Sequence, residues 1–272
     1  MTALPLPGAT VAITGGARGI GLATAKAFVV AGARVHIGDI DPVAAKAAAD
    51  QIGATGHELD VRYRESFAAF LGAVDGPLDV LVNNAGIMPM GRFADEDDAV
   101  TDAIIDINLK GVLTGTKLAL PGMLARRHGH IVNLASYLGE VPAAGLASYC
   151  ASKHAVIGFT ESVRDELAGT GVTVTAVLPS AVRTDLVAGV QLGGVLPTVE
   201  PERIAEAVVA SCHRRRTLVA VPGWMRAYEL AAAVLPDRVL AAVRGHLTRD
   251  RVLHSLDTGA RADYDARVRR DA

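Results

Sequence analysis

The stretch from Ala9 to Gly21, ATVAITGGARGIG, constrains what the chain can fold into more than any other. Its apolar run 9–13 is too short for a helix and has no helical periodicity, so it reads as a strand buried on both faces. Thr14 ends that strand. Gly15, Gly19 and Gly21 then remove side chains where the backbone must turn sharply and approach a ligand. The helix that follows, from about Ile20, aims free amide groups and the positive end of its dipole back at the turn. An anion is the natural guest. The glycines are spaced TGxxxGxG rather than GxGxxG, so the phosphate-binding logic carries over and the standard dinucleotide pattern does not. A glycine turn with no ligand is the bland alternative, and the rest of the chain has to decide between them.

With 272 residues, half of them apolar, the chain can bury one substantial core. A formal net charge of -2, with basic residues spread along the chain, argues against nucleic acid as a partner and for small-molecule business. Cys150 and Cys212 are the only cysteines, which fits a reducing compartment rather than a disulfide framework. The first residues lack the pattern of a signal peptide, and no apolar run is long enough to span a bilayer, so a cytoplasmic protein is expected.

Strands and helices alternate from the start. Strands are expected at 34–38, 57–61, 79–82, 130–135, 172–178 and 217–221. Helices are expected at 20–31, from Asp41-Pro42 to near Gly53, and at 65–74, 98–119 and 148–167, with another from about Glu200. This alternation predicts an α/β fold with a doubly wound parallel sheet, helices on both faces and a single domain over 1–248. In such sheets ligands bind beyond the carboxyl ends of the strands at the switch point. Gly15 to Gly21, Asp39, Asp60, Asn83 to Gly86, Ser136 and Pro179 to Thr184 all follow strands and should converge on one crevice.

These residues resemble the short-chain dehydrogenase/reductase family in its single-domain branch, with a Rossmann-type sheet. Thr14-Gly-Gly-Ala-Arg-Gly-Ile-Gly21 is similar to its TGxxxGxG, Asn83-Asn-Ala-Gly86 to its NNAG and Tyr149-Cys-Ala-Ser-Lys153 to its YxxxK. Ser136 precedes the tyrosine at the family's spacing, and Asn108 matches the family's helix asparagine. The resemblance covers about 9–184. It departs at Pro179-Ser180, where Pro-Gly is common, and in the C-terminal part, which lacks the usual glycine- and aspartate-rich ending.

Tyr149 and Lys153 are four apart on a helix and so share a face. A phenol titrates at about 10, and acid or base work near neutrality needs that lowered by about three units, roughly 4 kcal/mol. A nearby ammonium and a cationic nicotinamide ring would favour the phenolate. The resemblance implies that Tyr149 exchanges a proton with the substrate oxygen while hydride passes between carbinol carbon and cofactor. By the same resemblance Lys153 holds the nicotinamide ribose, Ser136 donates to the substrate oxygen and Asn108 holds a relay water.

Cofactor contacts are expected from Gly15, Arg18, Gly19, Ile20, Gly21, Asp39, Asp60, Val61, Asn83, Ala85, Gly86, Tyr149, Lys153, Pro179, Val182 and Thr184. Asp39 decides between cofactors, because its carboxylate accepts from a ribose diol and repels a 2′-phosphate. Arg18 argues for NADP, since a guanidinium can pair with that phosphate. The carboxylate weighs more, so NAD is expected and NADP is the alternative. Asp60 reads equally as an adenine-side contact and as a turn cap.

No metal is expected. His128 and His130 lack further clustered ligands and read as solvated loop imidazoles. His154 reads as structural and Cys150 as a small packed thiol. By the resemblance the segment 185–200 is a substrate lid, and Leu186, Val187, Val190, Leu192, Val195 and Leu196 suggest a lipophilic secondary alcohol or ketone, with packing on the core an equal reading of the same side chains. Met88, Pro89, Met90, Leu138, Val141 and Leu146 are expected to add to the apolar wall. The apolar tail 224–247 resembles that of members acting on steroid-, retinoid- or lipid-like substrates, but packing on the sheet edge or on a second subunit explains it better. Residues 249–272 read as a polar, partly ordered arm. A homodimer or homotetramer is what the family implies. A cofactor-sensing protein without turnover is the rival reading, and intact Asn108, Ser136, Tyr149 and Lys153 speak against it.

Overall fold

The computed structural model describes residues 4–189, 197–214, 216–227 and 257–271. Strand β1 (Thr10–Thr14) leads into helix α1 (Gly19–Val30), then β2 (Arg34–Asp39), α2 (Pro42–Ile52), β3 (Thr55–Glu58), α3 (Arg64–Gly72) and β4 (Val80–Asn83). Helix α4 (Asp98–Ile105) runs through a π-helical stretch, Asp106–Lys110, into α5 (Gly111–Arg126), followed by β5 (Gly129–Leu134), α6 (Ala147–Glu166) and β6 (Val172–Pro179). Two-residue strands β7 (Ala181–Val182) and β8 (Thr198–Val199) pair with each other before α7 (Pro201–Arg214) and β9 (Leu218–Val221). The last described element is helix α8 (Thr258–Asp271).

Seven strands form one sheet in the order β3-β2-β1-β4-β5-β6-β9, every pair parallel. The expected doubly wound Rossmann-type sheet is what the chain forms. Strand residues alternate between two apolar layers. Val11, Ile13, Val80, Val82, Val132 and Leu134 face α1, α2 and α7, while Ala12, Leu81 and Ile131 face α3, α5 and α6. Both faces are buried, which is why these strands read as unbroken apolar runs. The chain leaves β1 toward one edge and returns at β4 beside it, so the switch point lies between β1 and β4, with the glycine turn at its carboxyl end.

Local signals place most boundaries. Asp41 caps α2 by accepting the Ala44 N–H at 2.9 Å, Pro42 takes the first turn, and Gly53 ends the helix at φ 73°. Two elements differ from expectation. The third strand stops at Glu58 rather than 61, because the Asp60 N–H turns to Ser66 Oγ at 3.0 Å and Asp60 accepts the Arg62 N–H at 3.0 Å. The long helix expected at 98–119 runs to Arg126 but is interrupted by the π-helical stretch, which carries the buried Asn108. No described helix is long and apolar enough to cross a membrane. The expected tail at 224–247 falls almost wholly outside the described residues, as does 190–196 of the lid.

Candidate active site

The carboxyl ends of β1 and β4 are tied to each other across the switch point. Thr14 Oγ1 accepts the N–H groups of Asn84 and Ala85, each at 3.0 Å. In return, Asn84 Nδ2 donates to the carbonyls of Thr14 and Gly15, each at 2.9 Å. The turn is backbone against backbone. Gly15 sits at φ 62° and a Cβ there would lie 2.9 Å from Ala85 Cα; at Gly21 a Cβ would lie 2.1 Å from the Gly15 carbonyl oxygen. Gly19, at φ 51°, has only the Thr184 side chain within 4 Å of where its Cβ would be. The first and third glycines thus permit the fold of the turn, and the second leaves its surface open.

From this turn a single cavity of about 1090 Å3 runs past Asp39 and Asp60, along Ala85 and Gly86, to Ser136, Tyr149 and Lys153. Pro179, Val182 and Thr184 close it from the side of β6, and Gly15, Arg18, Gly19, Ile20 and Val61 also line it. Among the expected site residues Gly21, Asn83 and Asn108 do not line it. The side chain of Asn83 is buried on the other side of β4, where Nδ2 donates to Asn133 Oδ1 at 2.9 Å. Asn84, one residue on, faces the site instead, because alternate residues of a strand point to opposite faces.

Asp39 ends β2 with its carboxylate accepting the Ala17 N–H at 3.1 Å and the Asp41 N–H at 3.3 Å. Burial pushes its pKa up, against the pull of those amides and of Arg18. Arg18 is engaged with Asp41, Nη2 to Oδ2 at 2.9 Å, both side chains close to half exposed. Asp60 is paired with the Arg62 guanidinium at 2.6 Å. It caps its turn, as one of its two sequence readings has it, and it borders the cavity.

At the other end, Tyr149 and Lys153 project from α6 into the protein, 5% and 4% exposed. Lys153 Nζ donates to the Leu134 carbonyl at 2.8 Å and stands 5.7 Å from the centre of the Tyr149 ring. Burial lowers the Lys153 pKa to about 8. The Tyr149 phenol is pushed up by burial, with a hydrogen bond from Ser136 pulling the other way. Burial thus favours the neutral phenol. Ser136 itself accepts the Leu138 N–H at 3.1 Å.

Asn108 is buried with its amide fully engaged. Oδ1 accepts the Ile87 N–H at 2.8 Å, and Nδ2 donates to the Ile87 carbonyl at 2.9 Å and to Ser152 Oγ at 3.2 Å. Its side chain clamps the loop after β4 to α6. A Cβ on Gly86 would lie 3.1 Å from Asn108 Oδ1 and 3.5 Å from Lys153 Nζ, so the clamp, the glycine and the lysine meet.

Other side residues fall out as follows. His130 is fully buried, with Nδ1 on Thr173 Oγ1 at 2.8 Å and Nε2 on Ser211 Oγ at 3.0 Å. It is a cross-sheet structural histidine and not the solvated one expected, because it sits inside β5. His154 is structural as expected, its ring 2.8 Å from the Gly139 carbonyl. Burial raises the Cys150 thiol, consistent with a packed residue.

Met88, Met90, Leu138, Leu146, Leu186 and Val187 form the apolar wall near Tyr149. Val141, expected there, packs instead with Tyr137, Ala220 and Met225. Helix α8 contributes Tyr264, Arg267 and Val268 to the cavity, none of which sequence reasoning singled out. The only signal was the spacing of Tyr264 and Val268, four apart in an otherwise charged run.

Residues 9–192 match the short chain dehydrogenase family. The chain belongs to that family. Oxidoreductase UcpA of Escherichia coli K12 is 40% identical over 190 residues, covering 66% of this chain and 72% of UcpA. A protein of Streptomyces virginiae, described as a monensin polyketide synthase ketoacyl reductase, is 43% identical over 191 residues, 66% of this chain and 73% of its own length. A crystal structure of an actinorhodin polyketide ketoreductase with NADPH superimposes with a TM-score of 0.74 at 32% identity, covering 80% of this chain and 97% of the ketoreductase. Membership in this dehydrogenase family makes the chain an oxidoreductase and implies a nicotinamide dinucleotide cofactor.

Proposed function

We propose that this dehydrogenase transfers a hydride between NAD and a lipophilic secondary alcohol or its ketone. The observation that carries the reading is one cavity with the glycine turn and Asp39 at one end and Ser136, Tyr149 and Lys153 at the other. The residues fit a dinucleotide. The open face of Gly19 would take the diphosphate, Asp39 an adenosine ribose diol, Lys153 the nicotinamide ribose, and Thr184 the nicotinamide amide. When bound, the nicotinamide supplies or accepts the hydride, and its oxidised ring adds positive charge.

What the chain does around it follows from the site. Ser136 donates to the substrate oxygen and Tyr149 gives or takes the proton at that same oxygen. The Lys153 ammonium, buried 5.7 Å from the phenol ring, favours phenolate through space. The apolar wall excludes water and selects a greasy substrate. Asp39 supports NAD, and Arg18, already paired with Asp41, is partly spent as a 2′-phosphate partner. The NADPH of the solved ketoreductase belongs to that protein, and NADP is the second reading here because Arg18 lines the same cavity.

The test is absorbance of the reduced nicotinamide, with NAD and NADP separately, across bulky lipophilic and small polar secondary alcohols. Tyr149→Phe is expected to lower kcat by about 100- to 10,000-fold and to leave NADH binding close to wild type. A variant with near-normal turnover sinks the mechanism. NADH binding without turnover of any alcohol or ketone favours the sensing reading.

A further inference from the structure

Helix α8 brings into the cavity a phenol that the reaction above does not use. Tyr264 is 6% exposed and lines the cavity together with Tyr149. Its oxygen accepts the Met88 N–H at 2.8 Å. A tyrosine hydroxyl also carries a proton to donate, and among the described residues no acceptor takes it. Buried polar groups in folded proteins are paired as a rule, so an unspent donor at the wall of a ligand cavity points to the ligand. Met88, whose N–H the phenol receives, packs in the same apolar cluster as Tyr149 and Leu146. The two phenols border one residue.

The phenol is also held in place. Arg261, fully buried, donates to the carbonyls of Leu186 at 3.0 Å and Ala188 at 3.2 Å, and to that of Met88. Its Nε pairs with Asp265 at 3.0 Å, and its guanidinium stacks 4.5 Å over the Tyr264 ring. Asp257 N–H bonds the Gly189 carbonyl at 2.8 Å. One guanidinium thus joins α8 to the lid and to the loop after β4. A buried charge is tolerated only where such partners satisfy it, so α8 has one seat on the site.

We propose that Tyr264 is a specificity-determining residue that donates its phenol proton to a second oxygen of the substrate. The substrate class is then a lipophilic carbinol or ketone bearing a further acceptor oxygen, carbonyl or hydroxyl, on the same skeleton. This rests on the oxidoreductase reading, which places the reacting oxygen at Tyr149 and Ser136.

The probes are 1-decalone and a set of decalindiones that differ in the position of the second carbonyl. Their dissociation constants are measured by calorimetry from the NAD-loaded enzyme, which has no hydride to give a ketone. At least one dione is expected to bind the wild type about tenfold more tightly than the monoketone, the worth of one added hydrogen bond. Tyr264→Phe, which keeps the ring and its stacking, removes that gain, so that the ratio of monoketone to dione dissociation constants falls to about one. The proposal is overturned if no dione binds the wild type more tightly, a result that needs no variant, or if the variant weakens monoketone and diones alike. Failure of the oxidoreductase reading shows separately, as no NADH oxidation with any ketone that binds.

Discussion

The two ends of the cavity are built in different ways. At the end proposed for the cofactor, the groups that matter are backbone or lie next to it: a glycine turn, the amides after β1 and β4, and a carboxylate at the tip of β2. Each is delivered by the strand it follows. At the end proposed for the substrate, the wall is assembled from segments far apart in sequence. The Met88–Tyr264 bond spans 176 positions, and the Arg261–Met88 contact 173. The first kind of construction is fixed by topology, since any doubly wound sheet brings those strand ends together. The second depends on a few side chains of a terminal helix, so it is free to change without disturbing the sheet. A fold that keeps one chemistry and varies its substrate is expected to divide its labour in this way.

The sharpest way to break the comparison is to damage each end by one residue. Gly21→Ala places a methyl 2.1 Å from the Gly15 carbonyl oxygen, a backbone contact that no rotamer relieves. It is expected to cost about 3 kcal/mol or more in stability and to abolish NADH binding. Thermal unfolding and calorimetry read both. A stable variant that still binds NADH would show that the turn is not rigid and that the cofactor end is as adaptable as the other.

Arg261→Met is the counterpart at the substrate end. It removes three charge-assisted bonds to carbonyls while filling most of the volume, and about 2–3 kcal/mol is the expected loss. The loss should be local. NADH affinity stays near wild type, KM for a lipophilic substrate rises more than kcat falls, and limited proteolysis cuts 257–271 sooner. If NADH affinity falls in step with KM, the two ends are one cooperative unit and the division above is wrong.

How much of this was legible follows the same line. The strand ends, the cap at Asp41 and Pro42, and the residues Ser136, Tyr149 and Lys153 were readable because each is encoded within a few neighbouring positions. The sequence alone does not tell Asn83 from Asn84, since both asparagines of the pair satisfy the motif and only the pleat of β4 decides which one faces the cavity. His130 reads as solvated in the sequence because its partners, Thr173 and Ser211, come from other elements. The π-helical stretch at Asn108 has no local sequence signal, and its asparagine finds its partners only once the loop after β4 has docked. Tyr264 and Arg261 were invisible for the strongest form of that reason. A charged terminal run looks solvated until the cavity that receives it exists.

The smallest effect concerns Asp39, where the two ends meet the question of which cofactor is used. Burial holds its carboxyl above the ordinary aspartate range, with the Ala17 and Asp41 amides and Arg18 opposing and the Asp41 charge adding to it. Only the ionised form repels a 2′-phosphate; the neutral acid does not. If Asp39 sets the proposed NAD preference, the ratio of NADP to NAD dissociation constants should shrink as pH falls from 8 toward 5. A 2′-phosphate also takes up a proton in this range, at about pH 6, which by itself pushes the ratio the same way. Asp39→Asn separates the two contributions. It is expected to lower the ratio about tenfold at pH 8, as removal of one like charge near a phosphate should, and to leave only the pH dependence of the phosphate. A variant whose ratio and pH profile match the wild type would move the discrimination to Arg18 and Asp41. The cofactor end would then owe its specificity to an exposed ion pair, adjustable in the same manner as the wall built by α8.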